Sequence, residues 1–98
     1  MLKRKFNEAL QDFAESVIGM SFDADQPEEL GFLTHQEQRD RCAKKFAVVK
    51  EVWLGAPDLL VRLEALTTSS ISAYAAGEFE QGHKFVMGID EILWTFRA

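Results

Sequence analysis

The chain has 98 residues, 47% of them hydrophobic and 28% charged, and a formal charge of −5 with a pI near 4.9. These values describe one soluble domain, residues 1–98, built around one core. They also count against nucleic acid as the principal ligand, because gripping phosphate takes clustered positive charge.

The acid is unevenly spread: residues 1–50 hold eight bases and nine acids, residues 51–98 three and seven. A charge of this sign suits protein partners, basic ones in particular. At this size folding buries about 60–65% of the unfolded chain's surface, so a second copy or a partner adds useful stability. The single cysteine, Cys42, excludes an internal disulfide and fits a reducing, cytoplasmic compartment. The opening MLKRKF has the charge of a secretory n-region, but the charged NEALQDFAES that follows is no h-region, so no export signal is expected. No run approaches the roughly 18 apolar residues that span a bilayer.

The first predicted element is a helix over 3–19. Phe6, Leu10, Phe13, Val17 and Met20 alternate steps of four and three, which keeps them on one helical face, and Gly19 marks the end. SFDADQPEELGFL then breaks any period and reads as a loop over 21–33. Its acids resemble the start of a calcium loop, but Glu28 stands where that loop requires glycine, which leaves a solvated acidic segment.

Thr34 and Glu37 have the spacing of a capping box and open a second helix over 35–54, with Cys42, Phe46, Val49 and Trp53 facing inward. The basic residues Arg41, Lys44 and Lys45 project together from it. GAP at 55–57 stops this helix and places a proline at the start of the next, so the two pack antiparallel.

A third helix over 58–76 puts Leu59, Leu60, Leu63, Leu66, Thr67, Ser70, Ile71 and Tyr74 towards the core. Its opposite side, Ala65, Ser69, Ser72 and Ala76, is small and uncharged, and small side chains admit another backbone closely; an ordinary exposed face reads the same way. The weakest point is TTSS at 67–70, where poor helix formers invite a break.

Gly77 separates this helix from a fourth over 78–97. There Phe79, Gly82, Val86, Ile89, Leu93 and Phe96 form the core seam, widened by Phe85 and Ile92. Gly82 on the seam leaves room for a bulky neighbour, Trp53 or Tyr74, whereas Gly88 lies off it and softens the helix. The expected fold is all-α, a small antiparallel four-helix bundle.

Displaced around the fourth helix lies a second stripe: His83, Met87, Asp90, Trp94 and Arg97. Trp, Arg and Met are enriched where proteins meet, because large amphipathic side chains lose water without orphaning many polar groups. Two readings stand open. Either the stripe binds a partner, or the 21–33 segment of the same chain covers Met87 and Trp94.

No catalytic, metal or cofactor site is expected. Glu80 and His83 make one E-x-x-H pair, but a di-metal bundle needs a second such pair and two more glutamates, and Phe32 precedes His35 by three. Cys42 falls on an apolar face, the setting of an inert structural thiol, and Ser69 and Ser70 have no evident base. The expected function is that of a non-catalytic protein-binding module: an inhibitor, adaptor or assembly factor that covers a partner's surface and rests as a homodimer. One form is a phage or mobile-element protein directed at a host complex, since small acidic domains suit the masking of basic surfaces. The alternative is a small nucleic-acid-binding regulator using the basic face of the second helix.

Overall fold

The computed structural model describes residues 2–28 and 33–96. Four helices follow one another: α1 (Leu2–Asp23), α2 (His35–Glu51), α3 (Pro57–Ala75) and α4 (Phe79–Trp94). Each packs on its neighbour in sequence, and α1 meets α4, which closes a small antiparallel bundle. The direction of that closing pair follows from its two ends. Phe6 at the start of α1 meets Phe96 just past α4, while Ser21 near the end of α1 meets His83 in the second turn of α4. Among the described residues no helix is long and apolar enough to cross a membrane.

All five residues of the α1 seam are buried, Phe13 completely, and they meet Cys42, Phe46 and Val49 of α2, Leu63 and Tyr74 of α3, and Val86, Ile89 and Leu93 of α4. Phe79, placed on the seam by its spacing, is exposed in the first turn of α4.

The capping box forms as its spacing requires. Glu37 N–H donates to Thr34 Oγ1 at 3.1 Å, Thr34 N–H donates to Glu37 Oε1 at 2.9 Å, and this backbone bond first of all holds the Glu37 carboxyl below its ordinary value. Glu28 is drawn to the same helix start, accepting from His35 N–H at 2.9 Å, so part of the acidic segment complements the positive end of α2.

The helix ends depart from the sequence reading for identifiable reasons. Gly19 does not end α1, which runs on to Asp23. The glycine lies inside the helix where Gln38 of α2 approaches, and an added Cβ would stand 3.1 Å from Gln38 Oε1. α2 stops at Glu51, three residues early, and Trp53 lies beyond it with Nε1–H donating to the Ala56 carbonyl at 3.1 Å. Its ring stands edge to face with Phe6 and Phe96, centroids 5.3 Å away in each case, and the three close one end of the bundle.

α3 passes through TTSS unbroken. Thr67 and Ser70 are buried, and their hydroxyls donate to the Leu63 and Thr67 carbonyls at 2.7 and 2.9 Å, so the helix's own backbone satisfies them. It ends in a Schellman motif: Glu78 N–H reaches Ala73 O, Gly77 N–H reaches Tyr74 O, and Gly77 takes φ 77°, a conformation that costs glycine little. α4 ends at Trp94, shorter than its apolar period suggests.

Of the two neighbours considered for Gly82, Tyr74 takes the place. An added Cβ would stand 2.6 and 2.8 Å from its ring atoms Cδ1 and Cζ, whereas Trp53 belongs to the far end. Gly88 also has a packing reason: Leu66 of α3 lies against it, 3.1 Å from where a Cβ would be.

Candidate partner-binding surface

The second stripe of α4 divides on folding. Met87 and Trp94 are 65% and 66% exposed and Asp90 is exposed between them, so the described part of the 21–33 segment leaves all three uncovered. Arg97 lies outside the described residues. His83 is half-buried and turns inward, with Nδ1 2.8 Å from Tyr74 Oη and 3.2 Å from Ser21 Oγ.

This polar knot ties the start of the stripe to α1 and α3. Tyr74 O–H donates to Ser21 Oγ at 3.0 Å, so the set is satisfied when His83 carries a proton on Nδ1 and donates it to Tyr74. The knot joins α1, α3 and α4. Burial, with the nearby charge of Asp25 adding to it, raises the Tyr74 hydroxyl above its ordinary value, which keeps it a donor.

Because Ser21 touches His83, the flank of α1 carrying Ala14, Ile18 and Ser21 borders the stripe. Ile18 is 59% exposed there, and Phe22, one residue further round, is 75% exposed. Neither figured in the sequence reading: Ile18 lies off the apolar seam of α1, and a helix ended at Gly19 leaves Phe22 in a loop. Between the two helices runs a shallow cavity of about 340 Å³ lined by Asn7, Leu10, Gln11, Ala14, Leu93 and Phe96. Phe22 lines a separate depression with Asp23, Gln26, Pro27, Glu28, Leu33 and His35.

The lining of the α1–α4 groove is itself uncharged. After Lys5, α1 carries Glu8, Asp12, Glu15 and Asp23 and no base, with Asp23 accepting from Gln38 of α2, and α4 carries Glu80, Asp90 and Glu91 against Lys84. Glu8 pairs with Arg4 at 3.1 Å, but both are exposed and such a pair stabilises little. α2, across the bundle, holds five bases against three acids.

The small-residue side of α3 faces away from the core, with Ala65, Ser72 and Ala76 exposed and Ser69 half-buried, and Val61, 69% exposed, extends it by one turn. On α2, Arg41 and Lys44 are exposed and Lys45 half-buried around a depression of about 420 Å³, but Glu37 and Asp40 line it too. Two carboxylates among three bases weaken the positive field a phosphate backbone requires.

Cys42 is fully buried, and burial pushes its thiol up to about 11 against a smaller opposing bond from Ser16. Below its ordinary value near 9 the thiol is protonated folded or unfolded. Above it the unfolded chain ionises first, and the stability this group lends is lost as pH climbs towards 11. A disulfide reagent at pH 8 should therefore leave Cys42 unmodified over minutes in the native protein and label it fully in denaturant; rapid native labelling would show an accessible thiol. Among the described residues no three His, Cys, Asp or Glu side chains gather as a metal site. Comparison with known proteins finds no matching family model, curated protein or solved structure.

Proposed function

We propose that this protein acts without chemistry, as a protein-binding module whose working surface is the second stripe of α4 together with the bordering flank of α1. The observation that carries this is the exposure of Met87 and Trp94 on one helical flank, with Ile18 exposed on the bordering flank of α1. Keeping three large apolar side chains in water forgoes burial worth about 1.5–3 kcal/mol for each, a cost that a partner's surface would recover. The protein would serve as an inhibitor, adaptor or assembly factor of the cytoplasm, and a phage or mobile-element factor that masks a host complex is one form this takes.

The small face of α3, Val61 to Ala76, is assigned to self-association, so that a homodimer leaves the α1–α4 side open. Light scattering should then give a mass near twice 11.1 kDa at micromolar concentration, falling to the monomer value in Ala65→Glu. A monomer at high concentration would remove the dimer and leave the α4 stripe as the single docking surface.

Capture from native lysate tests the main reading when wild type is compared with a Met87→Ala, Trp94→Ala double variant of unchanged helical content. The same proteins should be retained by the first and lost from the second. Equal retention by both would move the working surface elsewhere.

A further inference from the structure

We infer that the exposed face of α2 is a second self-association surface, on which α2 of another copy lies antiparallel across a twofold axis. It stands apart from the α4 stripe and from the α3 face, and neither of those readings depends on it. Five exposed residues of α2, Glu37, Asp40, Arg41, Lys44 and Val48, fall within about 100° of arc at 3.6 residues per turn. All five line one depression of about 420 Å³, together with Lys45 and with Leu33 just ahead of the helix. Val48 is 47% exposed there and adds nothing to the core.

The order of these residues selects the occupant. Leu33, Glu37, Asp40, Arg41, Lys44 and Val48 run apolar, acid, acid, base, base, apolar, a pattern that complements itself when reversed. With the axis level with the Asp40–Arg41 peptide, residues equally far from it come level, so Leu33 meets Val48 of the second copy and Glu37 meets Lys44, each twice. Asp40 then stands within one turn of the second copy's Lys44, and Arg41 within one turn of its Glu37. A parallel pair in register would set acid on acid and base on base. Among the described residues Asp40, Arg41 and Lys44 make no ion pair that this contact would break. Glu37 spends Oε1 on Thr34 N–H in the capping box and keeps Oε2 for a lysine. Exposed ion pairs stabilise little, and one helix face buries less than the about 1,000 Å² of a stable interface, so the contact should form at roughly 0.1–1 mM and stay open in dilute solution.

The test uses the full-length chain carrying Ala65→Glu, which removes the α3 contact, so that the two contacts succeed or fail separately. At about 0.5 mM and low salt, where exposed charges are least screened, light scattering should show this parent chain rising from 11.1 kDa towards twice that mass and falling back as salt is added. Glu37→Lys and Lys44→Glu, each added singly and each keeping its circular dichroism spectrum, set like charges level and should remain monomeric. Mixed one to one, the two variants should associate, because every acid at these positions in one chain then meets a base in the other. A parent chain that stays monomeric would overturn the contact. Either variant associating alone as strongly as the parent, or a mixture no heavier than its components, would overturn the antiparallel pairing.

Discussion

Leu93→Ala should cost about 2–5 kcal/mol, the range for emptying a fully packed leucine site, and lower the melting temperature by some 10 °C or more in a domain this small. Its neighbour in sequence should behave in the opposite way. Trp94 is exposed where Leu93 is buried, so Trp94→Ala and Met87→Ala should each move stability by less than about 1 kcal/mol, the usual range for surface positions. Phe85 is half-buried, and Phe85→Ala should fall between these limits. Denaturant melts on the four variants, in a monomeric background, give the comparison. A Trp94→Ala midpoint as low as that of Leu93→Ala would assign the second stripe to the core.

The second large effect is expected at Gly82. Alanine normally improves a helix by about 1 kcal/mol over glycine. Here the added methyl meets the Tyr74 ring at 2.6–2.8 Å, closer than carbon atoms pack, so the ring has to move. Moving it also withdraws the Tyr74 hydroxyl from Ser21 and His83, and each bond lost costs about 0.5–1.5 kcal/mol. Gly82→Ala should therefore destabilise by about 2 kcal/mol despite its better helix propensity. Tyr74→Leu should be destabilising alone yet partly relieve Gly82→Ala, giving a coupling of about 1 kcal/mol in a double-mutant cycle. Simple additivity would mean that the ring does not fill the glycine's space.

What the sequence disclosed was whatever depends on near neighbours in the chain. The Phe6 to Met20 seam, the Thr34–Glu37 box, the proline opening α3 and the Gly77 corner are local patterns, and each produces the element its spacing implies. TTSS looks like a break for a local reason, until the Thr67 and Ser70 hydroxyls are seen bonded to carbonyls of their own helix. Features set by another helix were hidden. Gly19 looks like a stop signal until Gln38 is seen against it. The surface was half legible for the same reason. Met87 and Trp94 follow from the α4 wheel, whereas Ile18 borders them only because this flank of α1 lies beside α4. His83 carried no sign that Tyr74 and Ser21 would turn it inward.

Site-directed photocrosslinking tests most directly whether this side of the bundle meets another protein. A benzophenone amino acid is placed at Met87, and in a control chain at Ala47, an exposed position on α2 away from the groove and the α3 face. Irradiation in native lysate should give a discrete adduct to one protein from position 87 and none from position 47. The same products from both positions, or none from Met87 while Ala47 gives an adduct, would contradict a partner-binding role for the α1–α4 side.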